Sequence, residues 1–384
     1  MKLVDLAVIG AGLAGCSVLA RLNQLGFHGS QALVEAGRGP GGRTATRRRR
    51  GHQTWRLDHG APGFNLSTPG NPSLASVLAP LRSSGILRRE WGVFLGLDHR
   101  GQLVEVPNEE QLEGEWLRGH PTMASVCEGL LEQAAPHLQR VYGCRIRWLG
   151  KTSEGWELKD EEGAVVLKTK RLVLSGTLLA HPRSLAMLAW PDIPLREAVP
   201  AGVDPLFDEV LNVLSNSTAS VRWNLMLEIK SQGSEDFPRQ IWLTAKARER
   251  WGIERLVFQK QAASGWGLVI HGLDDGQTIT PDRQPGLMNA QEKRLRLLLP
   301  ELIQTIPGLQ AMSSDVNRPE PLGMMRWGAA HPLNWPLPRR LQWCPASNIG
   351  FCGDWIEGPG FGRAEGALDS GVQLAEQLID ECRT

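Results

Sequence analysis

The sequence predicts an α/β protein that combines a discontinuous domain on a parallel sheet with a second, α+β domain on an antiparallel sheet. Three observations favour this fold class. A strand, a glycine-rich loop, a helix and another strand open the chain, and a strand, a glycine-rich loop and a helix close it. Strand-like runs without helical periodicity fill much of the middle. The length of 384 residues is sufficient for two domains with separate hydrophobic cores.

The first 35 residues have the order of a dinucleotide-binding βαβ unit. An apolar run, Leu3–Ile9, leads directly into a G-x-G-x-x-G loop, Gly10–Gly15, and an apolar helical pattern then extends to about Leu25. A second apolar run, Gln31–Val34, ends in Glu35. The loop alone is also compatible with an ordinary glycine-rich turn. Together with the two strands, the helix and the acid, it favours a Rossmann-type unit.

Each part of this unit has a physical role. Gly10 permits the tight turn, Gly12 lets a pyrophosphate approach the backbone, and Gly15 allows close packing of helix and strand. The helix N-terminus presents free N–H groups and a partial positive charge to the phosphates. Glu35 is placed to accept hydrogen bonds from the adenosine ribose. The unit therefore predicts a bound adenine dinucleotide.

The charge balance argues against nucleic acid and membrane as partners. Lys plus Arg is 42 and Asp plus Glu is 41, so no overall field attracts either. The basic run Arg47–Arg50 is compatible with nucleic-acid binding, but the neutral balance favours a solvated loop. The longest apolar runs, such as Leu172–Ala180, are far shorter than the roughly 18 residues of a membrane span. Because the first strand begins at Leu3 without a basic leader, we expect a cytoplasmic protein.

Cysteine and histidine usage predicts no metal site. The 6 cysteines form no C-x-x-C pair and the 9 histidines form no H-E-x-x-H pattern. Scattered cysteines of this kind are typical of small buried hydrophobic side chains in a reducing compartment. The aromatic balance is unusual, with 14 Trp and a single tyrosine, Tyr142.

The middle of the chain predicts how the domains are divided. Helices are expected over residues 74–87 and 123–138, a hairpin over 88–106, and a β-meander over 141–174. The Pro-rich residues 191–205 are expected to mark a crossing between domains. Further strand patterns indicate the antiparallel sheet; they occupy residues 220–229, 240–243, 255–258 and 267–271.

A helical pattern that begins at Asn289 follows this sheet, and Pro300 is expected to end or kink that helix. Residues 318–345 then return the chain to the first domain. We assign each stretch to a domain by these patterns. The first domain takes residues 1–85, 119–190 and 326–384, and the second takes residues 86–118 and 191–325.

The last unit of the chain repeats the order of the first. A strand, Asn348–Asp354, ends in a glycine and an acid, the loop Gly358–Gly362 follows, and a helix extends from about Arg363 to Cys382. A strand, a glycine-rich loop and a helix with an acid at the strand end again suit a bound nucleotide.

Four motifs, in this order, resemble the flavin-containing amine oxidase superfamily, and within it the renalase group. They are Gly10–Gly15 with Glu35, Gly41-Gly42-Arg43, Asp58-His59-Gly60-Ala61, and Gly353-Asp354 followed by Glu365-Gly366-Ala367. The stretches Trp116–Met123 and Glu254–Lys260 are more loosely similar. The resemblance implies a discontinuous Rossmann-type FAD-binding domain and a second, α+β substrate domain built on an antiparallel sheet.

The resemblance also implies which residues hold FAD. Ile146, expected in the first strand of the meander, contacts adenine through its backbone, and Asp354 accepts from a ribityl hydroxyl or bridges to phosphate. Gly60 and Ala61 lie along the flavin ring. The implied cofactor-binding residues are Gly10, Gly12, Leu13, Ala14, Gly15, Glu35, Ala36, Gly42, Arg43, Gly60, Ala61, Ile146, Gly353, Asp354, Gly366 and Ala367. Cys352 does not suit covalent attachment, so we expect FAD to be bound non-covalently.

The last helix has a role at the flavin that follows from electrostatics. Reduced flavin carries negative charge at its N1 and C2=O edge, and the helix opening near Gly366 and Ala367 is expected to face that edge. A helix N-terminus stabilises such charge without reorganisation.

Three side chains are candidates for a role in catalysis. His271 could orient an amide or act as a base, His59 follows the loop beside the flavin, and Lys260 could hold a water over flavin N5. For the two histidines, ordinary core or surface positions are the alternative. Because the chain has one tyrosine, Tyr142, an aromatic cage of two tyrosines is excluded. Trp327, Trp335 and Trp355 are the possible replacements.

The renalase-like loop also departs from the family pattern. The family usually continues Gly-Ala-Gln-Tyr-Phe, whereas this chain reads Gly60-Ala61-Pro62-Gly63-Phe64, which leaves the substrate contacts at that edge open.

Three functions remain open from the sequence. The resemblance implies an FAD oxidase that oxidises a small substrate, such as an isomeric dihydronicotinamide nucleotide, with O2 as acceptor and H2O2 as product. An amine oxidase or desaturase acting on another small or lipophilic substrate is the second. A non-catalytic carrier on the same fold is the third; it is less favoured because the flavin contacts are kept.

Overall fold

The computed structural model describes residues 3–49, 54–68, 71–90, 94–108, 112–229, 238–261, 265–306 and 320–383. Two large β-sheets organise these residues. One is mainly parallel and has hydrophobic cores on both faces, whereas the other is mainly antiparallel and packs on two helices. The predicted fold class is therefore confirmed.

The described residues form strands and helices that share these sheets and cores. The strands are β1 (Leu3–Ile9), β2 (Gln31–Glu35), β3 (Thr46–Arg48), β4 (Arg56–Asp58), β5 (Phe64–Leu66), β6 (Leu87–Arg89), β7 (Phe94–Leu97), β8 (Leu103–Val104), β9 (Glu115–Gly119), β10 (Gln139–Tyr142), β11 (Trp148–Thr152), β12 (Gly155–Lys159), β13 (Val165–Leu174), β14 (Ala219–Ile229), β15 (Gln240–Leu243), β16 (Ile253–Lys260), β17 (Trp266–Leu273), β18 (Glu320–Pro332), β19 (Trp343–Cys344) and β20 (Ile349–Phe351). The helices are α1 (Leu13–Gln24), α2 (Pro72–Ser83), α3 (Ala124–Glu132), α4 (Arg183–Leu188), α5 (Pro194–Ala198), α6 (Pro205–Asn216), α7 (Ala245–Trp251), α8 (Gln284–Thr305) and α9 (Ala364–Arg383).

The first sheet places the carboxyl ends of five parallel strands along one edge. Its order is β10-β2-β1-β13, with β20 pairing in parallel beside β13 and the β11–β12 hairpin completing it. Ile9 lies opposite both Val34 of β2 and Leu174 of β13. In open sheets of this type, ligands bind beyond the carboxyl ends of the strands.

Both faces of this sheet are buried, which explains why its central strands are almost entirely apolar. Val8 and Leu33 point to one face, toward α1, α3 and α9. Ala7 and Val34 point to the other, where they join the meander and α6. The opposite directions follow from the two-residue repeat of a strand.

Two of the four prolines in residues 191–205 begin helices, and the expected crossing between domains stays a prediction. Pro194 and Pro205 occupy first-turn positions of α5 and α6, and Asp204 caps α6 through the N–H groups of Leu206 and Phe207. Proline suits the first helical turn because its missing N–H is not needed there. The ring centre of Phe207 lies 6.5 Å from that of Phe351 in β20, so this segment packs on the first sheet. Elsewhere the domain bounds stay a prediction.

The second sheet has two different faces. Its order is β18-β14-β17-β16-β15-β7-β8, and all neighbours are antiparallel except β15 and β7. Leu225, Leu256 and Leu268 point toward α7 and α8 in one hydrophobic core. The alternate residues of β14, β16 and β17 face the first domain, and some of them are polar.

Three elements differ from the sequence expectation. Residues 141–149 do not form one strand, because Gly143 adopts a φ of +69° between β10 and β11 and leaves Ile146 in a connecting segment. Pro300 does not end α8, because the helix continues to Thr305 and its buried residues Leu299 and Leu302 hold it against the second sheet; a kink at Pro300 stays a prediction. Residues 320–332 of the expected return stretch form the long strand β18; the preceding residues 318–319 lie outside the described ranges.

None of the helices among the described residues has the length and apolar character needed to cross a membrane.

Candidate active site

A long groove lies at the carboxyl edge of the first sheet. It contains about 1210 Å³ of empty space, part of it open to solvent, between β1, β2, β13 and the start of α9. An inner cavity of about 750 Å³ lies between this groove and the second sheet. The two spaces share six lining residues, namely Arg43, Ala61, Ala330, Gly362, Arg363 and Ala364. They therefore form one continuous site.

Two glycines of the first loop have the structural roles that their spacing predicts, and the role of Gly12 toward a pyrophosphate stays a prediction. Gly10 has a φ of +102°, and a Cβ built there would lie 2.3 Å from the Ser175 hydroxyl oxygen. A Cβ at Gly15 would lie 2.1 Å from the Gly10 carbonyl oxygen, so helix and strand approach too closely for any side chain. A Cβ at Gly12 would have no neighbour nearer than 4.0 Å, because this residue faces the groove.

Glu35 is held at the end of β2 by backbone donors. The Ala11 N–H donates to one carboxylate oxygen at 2.7 Å, and the Gly37 N–H donates to the other at 2.6 Å. A carboxylate has about four lone-pair positions, so acceptor capacity toward the groove is retained. The carboxylate is thus held in place at the groove, and its role toward a ribose stays a prediction.

Arg43 and Asp354 join the two ends of the chain across the groove. Both terminal nitrogens of Arg43 donate to Asp354 at 2.6 Å, and one also donates to the Ala330 carbonyl oxygen at 3.1 Å. Burial acts to lower the pKa of Arg43, but the Asp354 carboxylate outweighs it and raises that pKa. The cation is therefore permanent, and it lies where the groove meets the inner cavity.

Arg183 adds a second positive charge near this pair. Its guanidinium donates to the Thr177 hydroxyl at 2.5 Å. Burial and repulsion from Arg43 together lower the pKa of Arg183 to about 10, although Asp354 opposes the shift. Since even this pKa is well above neutral pH, Arg183 remains charged.

The first turn of α9 lines the site. Ala364 contacts both spaces and Ala367 contacts the groove. Glu365 anchors the turn, because its buried carboxylate accepts from the N–H and hydroxyl groups of Ser67 and Thr68 at 2.6 to 3.1 Å. The partial positive charge of this helix N-terminus is therefore directed to the junction of groove and cavity.

The inner cavity has a polar row from three neighbouring strands. Asn224 of β14 and Arg255 of β16 both lie opposite His271 of β17 in the sheet register. All three are buried, and all three line the cavity. Burial and the nearby Arg255 cation lower the pKa of His271 well below its usual value, so the imidazole is neutral at pH 7.

An ion pair lies beside this row. Arg222 donates from two nitrogens to the same oxygen of Glu254, at 2.6 and 3.2 Å. Burial raises the pKa of Glu254, but Arg255 and Arg222 together outweigh it and lower the pKa to about 2. The Arg255 guanidinium lies 4.5 Å from the centre of the Trp242 ring. Glu254 is thus an anion between two cations.

Thirteen of the cofactor-binding positions predicted from the family pattern line the groove: Gly10, Gly12, Leu13, Ala14, Glu35, Ala36, Gly42, Arg43, Ala61, Ile146, Gly353, Asp354 and Ala367. Gly60 lines the inner cavity. Gly15 and Gly366 lie in packing contacts next to the groove; a Cβ at Gly366 would be 2.3 Å from the Gly360 carbonyl oxygen. Their roles toward FAD stay predictions, but the chain brings them together.

The three catalytic candidates lie in three different environments. His271 lines the inner cavity. His59 is buried behind it, with its ring stacked on Trp327 at 5.6 Å; burial and Arg47 lower its pKa to about 4. Lys260 is exposed and lines a separate depression beside Arg118 and Gln261. This position contradicts the expectation that Lys260 holds a water over flavin N5.

The three tryptophan candidates also lie in different environments. Trp327 lines the inner cavity, whereas Trp355 packs on Phe351 in the hydrophobic core and Trp335 is 64% exposed. Trp116, which carried no specific prediction, is a second aromatic residue of the cavity.

Sequence reasoning also missed Arg222, Asn224, Glu254 and Arg255. In β14 the signal was the alternation of Arg222 and Asn224 with apolar residues, which indicates one face of a sheet but not what that face meets. Glu254 and Arg255 are consecutive in β16 and show no such alternation; the only signal there was the loose family similarity of Glu254–Lys260.

Comparisons with known proteins agree with this architecture. Residues 8–81 match the family of NAD(P)-binding Rossmann-like domains. No curated protein matches the sequence at a significant level.

Solved structures are similar over nearly the whole chain. A putative protoporphyrinogen oxidase from Exiguobacterium sp. 255-15 is 12% identical with a TM-score of 0.63, covering 99% of this chain and 100% of that one. Cyclohexylamine oxidase from Brevibacterium oxydans IH-35A is 13% identical with a TM-score of 0.65, covering 100% of each chain. A cofactor-binding mutant of putrescine oxidase is 13% identical with a TM-score of 0.61, covering 98% and 99%. The chain therefore has the fold of these oxidases, in agreement with the amine oxidase superfamily that its motifs resemble.

Proposed function

We propose that this protein is an FAD-dependent oxidoreductase that takes a hydride from a small substrate held in the inner cavity. The observation that carries the proposal is the continuity of the two spaces: the groove and the cavity meet at Arg43, Ala61 and the first turn of α9. A cofactor in the groove and a substrate in the cavity would therefore be in contact at this junction.

The residues of the groove fit FAD by their chemistry. Gly12 and the start of α1 offer backbone to a pyrophosphate, and Glu35 offers a fixed acceptor to ribose hydroxyls. Arg43 supplies a permanent cation, and Asp354 supplies acceptors for a ribityl hydroxyl. FAD, when bound, supplies the two-electron acceptor, while the chain supplies position and electrostatic field.

The walls of the cavity would orient the substrate. Trp116 and Trp327 cover it with aromatic surface, and the second sheet closes its far side. At the junction, the N-terminus of α9 stabilises negative charge that develops during reduction. Neutral His271 is able to donate or accept a hydrogen bond, depending on its tautomer.

The substrate we put first is a dihydronicotinamide nucleotide, oxidised with O2 as the acceptor and H2O2 as the product. A carboxamide has one acceptor and a donor pair, and the cavity offers Asn224 and His271 side by side as complementary groups. The motif resemblance to renalases supports the same substrate class.

Amines are the second substrate class. Two of the similar folds are cyclohexylamine oxidase and putrescine oxidase. Trp327 also presents an aromatic ring to the cavity, and such a ring attracts cations.

The decisive experiment is an absorption spectrum followed by anaerobic reduction. Purified protein should show flavin bands, and denaturation should release FAD into solution because no covalent bond holds it. Aged NAD(P)H that contains isomers should bleach the flavin, and admitted O2 should restore it with formation of H2O2. Protein without flavin bands, and unable to bind added FAD, contradicts the proposal and supports a carrier. Bleaching by amines alone contradicts the dihydronicotinamide assignment.

A further inference from the structure

A further histidine lies at the junction of the groove and the inner cavity. His331 is near the end of β18, next to Ala330, which lines both spaces. His331 itself lines the cavity and is only partly buried. No motif of the sequence marks it, because its neighbours at the junction come from distant parts of the chain.

A backbone carbonyl fixes the tautomer of this imidazole. Nδ1 of His331 lies 2.8 Å from the Gly362 carbonyl oxygen. A carbonyl oxygen only accepts, so Nδ1 carries the hydrogen and donates it. In the neutral ring Nε2 then has the free lone pair and acts as an acceptor. The described residues offer no partner to Nε2, so this acceptor is left for a ligand.

The ring is held in a rigid frame. The Gly362 N–H donates to the Asp354 carbonyl oxygen at 2.7 Å. Arg43, which is paired with Asp354, donates to the Ala330 carbonyl oxygen at 3.1 Å, so one ion pair fixes the backbone on both sides of the imidazole. Gly362 has a φ of +76°, and a Cβ there would lie 2.4 Å from His331 Cε1. The ring therefore occupies space that only a glycine leaves, and it is preorganised.

His331 and the polar row of the second sheet occupy different places along the cavity. In the register of β14 with β18, Ser220 lies opposite His331 and Asn224 lies opposite Met325. Ser220 and Asn224 are roughly 13 Å apart along an extended strand. Because His271 lies opposite Asn224, the row is well away from the junction that His331 adjoins.

We propose that His331 is a substrate-binding residue whose Nε2 accepts a hydrogen bond from an N–H or O–H group beside the carbon that loses the hydride. This inference rests on the proposed function, which puts that carbon at the junction. The carboxamide of a dihydronicotinamide and the amino group of an amine both supply such a donor. A carbonyl or ether oxygen at the same place would face a lone pair and bind more weakly.

Benzamide and acetophenone test the donor requirement, because they differ only in an NH2 group replaced by a methyl group of similar size. Isothermal titration of the purified protein at about pH 8.5, where imidazole groups are ordinarily neutral, should give at least tenfold tighter binding of benzamide. Equal affinities for the two ligands would overturn the inference.

Two substitutions distinguish substrate binding from a structural role, because they replace different ring nitrogens. His331→Asn places an amide N–H near the position of Nδ1, so the bond to Gly362 can form, but no acceptor remains at the position of Nε2. Its preference for benzamide should fall to about twofold or less. His331→Gln places its amide near the position of Nε2 and should retain most of the preference, with a lower Tm because the bond to Gly362 is lost.

His137→Asn, at an exposed position, is the matched control and should keep both the wild-type preference and the wild-type Tm. If His331→Asn keeps the full preference for benzamide while His331→Gln loses it, the imidazole only supports Gly362 and the inference is wrong.

The titration does not depend on flavin reduction, so the two proposals fail separately. Protein that contains FAD and is reduced by a hydride donor, but does not prefer benzamide to acetophenone, keeps the proposed function and loses this inference. Protein that prefers benzamide through His331 but binds no flavin loses the proposed function and keeps a donor-binding histidine in the cavity.

Discussion

Arg43 and Asp354 form a two-pronged ion pair, each nitrogen 2.6 Å from its oxygen, between residues 311 positions apart in the chain. Arg43 follows the opening βαβ unit, and Asp354 follows the last strand of the same sheet. The pair closes the groove at its junction with the inner cavity. The groove is therefore lined at this junction by residues from both ends of the chain.

Asp354→Asn should weaken FAD binding by roughly 10-fold to 100-fold, the range expected when a charge-assisted hydrogen bond worth about 1.5–3 kcal/mol is lost. The amide keeps the shape but cannot balance the Arg43 cation or accept with the same strength. Titration of flavin-free protein with FAD, followed by fluorescence, measures the change. Arg82→Gln, which breaks an exposed ion pair with Glu115, provides the control. Equal FAD affinity in Asp354→Asn and wild type would exclude Asp354 from the cofactor site.

Gly12 and Gly15 should respond differently to the same substitution. Gly15→Ala places a methyl group 2.1 Å from the Gly10 carbonyl oxygen, so we expect a large loss of folded protein or a marked drop in Tm. Gly12→Ala has 4.0 Å of clearance inside the protein and should keep its Tm while losing FAD affinity, because the methyl group enters the groove. Thermal unfolding and FAD titration of both variants check this. A Gly12→Ala variant that binds FAD normally would show that the pyrophosphate lies elsewhere.

The sequence predicted the groove far better than the inner cavity, for a physical reason. The groove residues belong to short local patterns: the loop that contains Gly12 and Gly15, and the acid that follows β2. Such patterns carry their geometry with them, because turn, helix start and strand end are neighbours in the chain. The opening βαβ unit could therefore be predicted from spacing, whereas the roles of Arg43, Ile146 and Asp354 were implied by the family resemblance.

The cavity wall is made instead by register between distant strands. His271 meets Asn224 and Arg255 only because β14, β17 and β16 pair with a particular alignment. Nothing local in the sequence fixes that alignment, and a shift by one residue would turn each side chain to the opposite face. For the same reason Lys260, close to Arg255 in sequence, faces a different depression from the cavity.

Acid should destabilise the protein through His59. Burial lowers its folded pKa to about 4, below the usual value of 6.5, so the unfolded chain binds the proton first. Stability is therefore complete above pH 6.5 and falls as the pH drops from 6.5 to 4, by at most about 1.4 kcal/mol per pH unit for one proton. Below pH 4 both states are protonated and this contribution levels off.

Urea unfolding at several pH values measures the slope. His59→Gln should reduce the slope without removing it, because burial also lowers the pKa values of His181, to about 4, and of His271. The substitution also removes the stacking on Trp327 and lowers stability at every pH. His137→Gln, at an exposed position, should keep the wild-type slope. An unchanged slope in His59→Gln would mean that this histidine is not the group that titrates.

Substitutions of His271 and of Lys260 should have different effects on the rate of flavin reduction. His271→Asn keeps a polar side chain in the cavity but loses the imidazole that lies between Asn224 and Arg255, so flavin reduction by substrate should slow at least tenfold. Lys260→Ala should leave the rate unchanged, since Lys260 lines a separate, exposed depression. Stopped-flow reduction under anaerobic conditions gives both rates, and the Tm and flavin content of His271→Asn show whether its fold is intact. A slow Lys260→Ala variant with normal flavin content would contradict this position, whereas an unaffected His271→Asn variant would remove His271 from the reaction.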